Sequence, residues 1–281
     1  ITALLNVYAD ANKPQMDFVD DEGIGEKIWI LKDAAVLDKV CRNMESRQLF
    51  IADGHHRYET ALNFRNRMIS ENPSHNGSEL YNYVMMTLVE MSDPGLVVFP
   101  THRMVKNLSH FYTDDFLKDV SEMFDIERKA TSSGSPEEIS SLIEHNIGEE
   151  VSGGKSFGFY DGKDNSYYVL TLKDSRFMKK ALPEKSDAYC DLDVSILHTL
   201  ILEKHLGIDE ENMANQKNLT YTRDAAHAVN AVNNGEYQCA FFLNATKVKQ
   251  IRDVSLANEK MPQKSTYFYP KLLTGLVISK F

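Results

Sequence analysis

Short apolar runs alternate along this chain with longer stretches whose apolar residues recur every three or four positions. The first pattern predicts strands and the second helices. The opening Ala3–Tyr8 reads as strand-like, and Lys27–Leu31 (KIWIL) as a strand. Asp33 then stands as an N-cap before Ala34–Ser46, where Val36, Leu37, Val40 and Met44 keep helical spacing. Gln48–Ala52 (QLFIA) reads as a buried strand that ends at Asp53-Gly54. His55–Ser70 follows as a helix carrying Ala61, Leu62, Phe64 and Met68.

Tyr81–Glu90 is rich in Tyr, Val and Thr and predicts a strand. Leu96–Phe99 predicts another, with Pro100-Thr101-His102-Arg103 as its exit. Thr113 or Asp114 caps a helix to Met123, and Ser135 or Pro136 starts one to Asn146. Lys155–Tyr160 and Ser166–Leu172 flank Asp161–Asn165 in a hairpin pattern. Val194–His205 is an amphipathic helix ended by Gly207. A strand at Asn218–Tyr221 precedes an Ala-rich helix to Asn233, opened by Thr222 or Arg223-Asp224. Gln238–Asn244 reads as a buried strand and Thr246–Ala257 as a helix. Met261–Pro270 is irregular, and Lys271–Ser279 returns to apolar structure. This alternation predicts an α/β or α+β fold, a mixed sheet with flanking helices. The loop Thr131–Pro136 suggests two regions, 1–130 and 131–281, and the loop Lys180–Asp191 is a second candidate boundary.

The 281 residues hold 31 Lys plus Arg against 41 Asp plus Glu, a formal charge of −10. Such a surface disfavours nucleic acid as a partner, because phosphate contacts need a basic face. One small nucleotide in a locally basic pocket is still compatible. Cys41, Cys190 and Cys239 show no finger spacing and suit the reducing cytoplasm. No apolar run approaches the roughly 20 residues of a membrane span, so no membrane partner is expected. The chain begins at Ile1 and runs at once into ordered sequence, so an N-terminal part is expected to be missing. Nothing in the pattern sets an oligomeric state.

The densest chemistry is Asp53-Gly54-His55-His56-Arg57-Tyr58, where the predicted buried strand meets a helix. Free N–H groups at a helix N-terminus, with a Gly allowing close approach, suit an anion. Arg57 adds a planar fork for phosphate. Asp53, His55 and His56 are the candidate catalytic groups, and Gly54 and Arg57 the candidate phosphate contacts. Asp53 or Glu59 would hold Mg²⁺ or act as base. His102, at a second strand exit, is expected in the same cleft. Lys264, Ser265 and Thr266 form a third phosphate-contact set, with Lys271 a further cation, although no Walker A loop is present. His198 and His205 read as ordinary helix-face residues, and Asp191 and Asp193 as N-caps. The expected ligand is a small molecule or nucleotide, ATP or ADP with Mg²⁺, and the expected chemistry phosphoryl transfer or nucleotide hydrolysis. The alternatives are a metal-dependent hydrolase using Asp53, His55, His56 and His102, and a non-enzymatic nucleotide-sensing module.

The string Ile51-Ala-Asp-Gly-His-His-Arg-Tyr-Glu-Thr-Ala61 resembles a bacterial and archaeal family of unknown function, domain-of-unknown-function family ten-fifteen. The resemblance extends to Met91-Ser-Asp-Pro-Gly-Leu96, Pro100–Arg103, Tyr221–Ala225 and Met261–Leu276. Members of that family are longer at the N-terminus. A shorter likeness is also present. Gly54-His-His-Arg-Tyr-Glu59 is similar to the phosphate-holding turn of sulfiredoxins, archaeal free-serine kinases and ParB proteins. That likeness implies a ParB/sulfiredoxin-like core around the turn, with Gly54, His56 and Arg57 as phosphate contacts. The sulfiredoxin cysteine position is His55 here, so sulfur chemistry is not implied.

Overall fold

The computed structural model describes every residue except Glu22, Pro270, Leu272, Lys280 and Phe281. The chain divides into two units, Ile1–Asp93 and Pro94–Phe281. The position expected as a boundary, 130/131, lies inside the second unit, where the residues on either side belong to one sheet.

The first unit holds α1 (Thr2–Ala11), a two-stranded antiparallel ladder of β1 (Met16–Val19) and β2 (Gly25–Ile28), α2 (Ala34–Met44) and α3 (His55–Glu71). The opening segment is a helix, not the expected strand, because Leu4, Val7 and Ala11 recur at three and four positions. Asp33 caps α2 as the sequence predicts: its Oδ1 accepts from the N–H of Ala35 at 2.9 Å and of Val36 at 3.1 Å. Gln48–Ala52 is not a strand. No ladder partner is present among the described residues, and Leu49 and Ile51 are exposed. Tyr81–Glu90 is likewise no strand. A short 3₁₀ turn, Leu80–Asn82, leads into an irregular run with Tyr83 to Met86, Leu88 and Val89 exposed. A strand needs a neighbour for its N–H and C=O groups, and propensity alone does not supply one. No described residue of this unit is buried.

The second unit carries the core. Its six-stranded sheet has the order β5 (Phe124–Ala130), β7 (Ser166–Leu172), β6 (Ser156–Tyr160), β9 (Cys239–Phe242), β4 (His102–Val105), β8 (Leu219–Thr222). Every ladder in it is antiparallel. A separate antiparallel pair joins β3 (Val97–Phe99) to β10 (Tyr267–Tyr269), so part of the segment expected to be irregular is a strand. Pro100–Arg103 is therefore not a simple strand exit. The chain turns at Pro100-Thr101 and re-enters as β4, which the apolar Met104-Val105 extends into the core. The architecture is the expected mixture of helices and sheet.

Side chains alternate across the sheet and feed two cores. Val105, Phe157, Phe159, Leu170, Leu219 and Phe241 face one, which is closed by α4 (Thr113–Val120) and the helical run from Asp193 to Leu206. Met104, Tyr160, Ala240 and Phe242 face the other, under α5 (Pro136–Ile147) and the Ala225–Asn233 helix. Gly158 lets α5 approach: a Cβ there would lie 2.2 Å from Ile143 Cγ2. Ser135 caps α5 and Asp224 caps the Ala225–Asn233 helix, both through side-chain oxygens. Within the Asp193–Leu206 run, Leu197–Glu203 is π-helical, a rare insertion that rotates the side chains it carries.

Candidate functional site

At the mouth of the six-stranded sheet, β4 begins, β8 ends and β9 ends together, because β4 runs antiparallel to both neighbours. That geometry gathers Pro100–Arg103, Tyr221–Arg223 and Leu243-Asn244. The central residue is Arg103. It is 1% exposed, and its guanidinium meets three acceptors. Nε and Nη2 lie 3.3 and 3.2 Å from His198 Nε2, Nη2 donates to the Lys264 carbonyl at 3.0 Å, and Nη1 donates to the Thr101 carbonyl. The Tyr221 ring lies 5.3 Å away as a cation–π partner. All of these groups are neutral. Burial brings the Arg103 pKa down to about 10, yet the guanidinium stays charged at neutral pH. His198, held in the π-helical turn, must present a bare lone pair. Burial, and then Arg103, push its pKa well below the usual histidine value.

More cations stand beside this centre. Arg223 Cζ is 4.1 Å from the Tyr267 ring centroid, and Lys271 Nζ is 4.5 Å from the same centroid. Lys264 adopts a left-handed φ of 53°, and the Ser265 carbonyl accepts from Thr246 Oγ1 at 2.8 Å. The second and third sequence clusters thus meet: Lys264 is joined to Arg103, and Ser265 and Thr266 lie on the same short segment.

His102 is placed differently from its neighbour. Strand alternation turns it to the opposite face of the sheet, where its ring lies 5.1 Å from Phe242. It is completely buried, its Nδ1 accepts from Leu243 N–H at 3.4 Å, and its Nε2 is 3.7 Å from Glu144 Oε1. Lys264 is bonded to Arg103, not to His102. On the rim, Asp193 accepts from Asn244 Nδ2 at 3.3 Å and lies 3.9 Å from Lys155 Nζ. Burial raises its pKa, opposed by Lys155 and Asn244.

The Asp53–Arg57 turn belongs to the first unit. Gly54 is the N-cap of α3 with φ of 85°, a conformation that favours glycine. A Cβ there would sit 2.9 Å from Arg57 Nη2, so the guanidinium folds back over the turn. Asp53 Oδ1 accepts from Gly54 N–H at 2.9 Å, and Asp53 Oδ2 is 3.8 Å from Arg57 Nη2. His56 is fully exposed with Glu59 at 3.9 Å, His55 is exposed, and the Arg57 side chain is 83% exposed. The turn opens a helix as predicted, but it follows an exposed irregular segment and not a buried strand. Among the described residues, no three His, Cys, Asp or Glu side chains gather closely enough to hold a metal ion.

Sequence reasoning missed Arg103, His198, Tyr221 and Arg223 as members of one cluster. Three of them lie inside strings already singled out, Pro100–Arg103 and Tyr221–Ala225, and that was the available signal. No described helix is long and apolar enough to cross a membrane. No curated protein and no solved structure matches this chain. The ParB/sulfiredoxin likeness therefore rests on the six residues of the Gly54 turn. A family model described as a protein of unknown function, DUF1015, matches residues 1–195, which include the Asp53–Arg57 and Pro100–Arg103 strings. That match covers more than two thirds of the 281 residues, and the chain belongs to the DUF1015 family.

Proposed function

We propose that this protein binds a phosphate-bearing small molecule, a nucleotide such as ATP or ADP in the first instance, and transfers or hydrolyses its phosphoryl group. The observation that carries this reading is Arg103. A buried guanidinium surrounded by neutral acceptors is costly, and an anion relieves that cost more than a carbonyl does. Arg223 and Lys271 on the Tyr267 ring add positive charge beside it, against a chain whose net charge is −10. Phosphoryl transfer is mostly positioning and charge stabilisation, and cations and dipoles suit it.

The Gly54 turn supports the same reading from the first unit. Its helix N-terminus offers free N–H groups, and its likeness to phosphate-holding turns assigns Gly54, His56 and Arg57 to phosphate. Within that turn, Asp53 would be the carboxylate for a Mg²⁺ accompanying a bound phosphate, once its contact with Arg57 is released. His55 and His56, both exposed, would serve as proton carriers.

The test is thermal unfolding of the full chain against ATP, ADP and inorganic phosphate, each with and without Mg²⁺, and against Zn²⁺ alone. A ligand held by the native state alone, at about 100 times its Kd, adds roughly 2.7 kcal/mol and raises Tm. A rise with nucleotide is expected. A rise with Zn²⁺ alone, or none with any anion, would overturn the reading. Nucleotide turnover then separates an enzyme from a sensor.

A further inference from the structure

Two of the three acceptors around Arg103 are fixed by the fold. The Thr101 carbonyl is anchored because His102 pairs with Thr222 in the sheet. His198 is anchored in the π-helical turn, within the apolar core. The third acceptor, the Lys264 carbonyl, belongs to an irregular segment, and Lys264 itself sits in a left-handed conformation that a side-chain-bearing residue rarely adopts. Two tethers hold that segment down besides Arg103. One is the Thr246 hydroxyl on the Ser265 carbonyl at 2.8 Å, and the other is the pairing of Tyr267 with Phe99.

We infer that Arg103 is the floor of an oxyanion subsite, that residues 264–266 are a strap roofing it, and that a phosphate group enters by taking the place of the Lys264 carbonyl. This rests on the reading of the protein as a phosphate binder. The exchange is favourable at Arg103 because a charged acceptor makes a shorter and stronger bond than a carbonyl. It is favourable at Lys264 because the released residue can leave its left-handed conformation. Arg223 and Lys271 stand on Tyr267, the first residue after the strap, where they attract an anion to the opening.

A strap that competes with the ligand has a signature that a strap forming part of the site lacks. Loosening a competitor strengthens anion binding, whereas loosening a binding wall weakens it. Thr246→Val removes one tether and keeps the side chain's shape. In the full chain it should tighten ADP and inorganic phosphate by about 3–10-fold, the scale of one neutral hydrogen bond. Arg103→Lys should weaken both by at least about 10-fold, because the ammonium loses the fork. It should also raise hydrogen exchange at the amides of residues 263–266 in protein without added anion. Circular dichroism and ligand-free melting establish that each variant is folded, and Thr246→Val decides the question should Arg103→Lys fail to fold.

If wild type binds ADP but Thr246→Val binds it equally or more weakly, the strap is overturned while the phosphate reading stands. If neither wild type nor Thr246→Val binds any of the anions, both are overturned. Unchanged exchange at residues 263–266 in folded Arg103→Lys overturns the tether directly.

Discussion

Lowering the pH from 7 to 5 should cost the second unit up to about 2 kcal/mol of stability through His198 alone. The imidazole is buried, and its Nε2 faces two N–H donors of a cation at 3.2–3.3 Å, so protonation would set two positive charges against each other. Its folded pKa is therefore depressed well below the unfolded value near 6.5. A histidine depressed in this way contributes stability that is fully present above the unfolded pKa. That stability is lost as pH falls, because the unfolded chain takes up a proton that the folded chain refuses. Each pH unit below about 6.5 costs up to about 1.4 kcal/mol. Integrated from pH 7 to 5, proton uptake by the unfolded histidine alone sets a limit of about 2 kcal/mol on the loss. The assay is urea unfolding followed by far-UV circular dichroism at both pH values, for wild type and His198→Gln. Glutamine offers Arg103 a carbonyl acceptor and does not titrate. All other titrating groups are common to both proteins and cancel in the comparison. Wild type should lose more than the variant between pH 7 and 5, by up to about 2 kcal/mol. Equal losses would refute the assignment of His198 as a neutral acceptor for Arg103.

Other perturbations reach other parts of the molecule. Gly158→Ala should destabilise by about 1–3 kcal/mol through its clash with Ile143, and the double variant with Ile143→Ala should lose less than the sum of the two single losses, read in denaturant midpoints. Ile143→Ala alone, at a fully buried site, should cost about 2–5 kcal/mol. Arg57→Ala should weaken nucleotide binding by about 10-fold and Arg57→Lys by less, with the ligand-free Tm unchanged in both, because the side chain is exposed and its ion pair with Asp53 at 3.8 Å contributes little. A matching fall in ligand-free Tm would make Arg57 a structural clamp instead. The exposed run Tyr83–Met86 should bind an apolar dye such as ANS, and Met85→Glu with Met86→Glu should reduce that fluorescence without lowering Tm.

What could be read from sequence was what the chain decides locally. Asp33, Ser135 and Asp224 cap their helices because a side-chain oxygen two or three residues upstream is all that a cap requires. The hairpin of β6 and β7 was legible for the same reason, a turn between two apolar runs. Strands whose partners are distant were not. Gln48–Ala52 and Tyr81–Glu90 have strand composition and no ladder, whereas Phe124–Ala130, with four charged residues, is a strand because β7 lies beside it. Pairing is a property of two segments, and a single segment does not carry it.

The site divides along the same line. Pro100–Arg103 and Met261–Lys271 stood out as polar strings beside apolar ones, and they do converge on Arg103 and Lys264. Which member of His102-Arg103 faces the cluster depends on the register of β4. Met104 enters the core under α5 and Val105 the opposite core, so His102 and Arg103 must also part company. His198 was hidden more deeply. Its partner is 95 residues away, and the π-helical turn moves it off the face that regular helical spacing assigns it. This apolar helix delivers one polar acceptor to a buried cation while keeping Leu197, Leu200 and Ile201 in the core, and all four lie in its π-helical part. The irregular helix is thereby tied to the same guanidinium that donates to the Lys264 carbonyl.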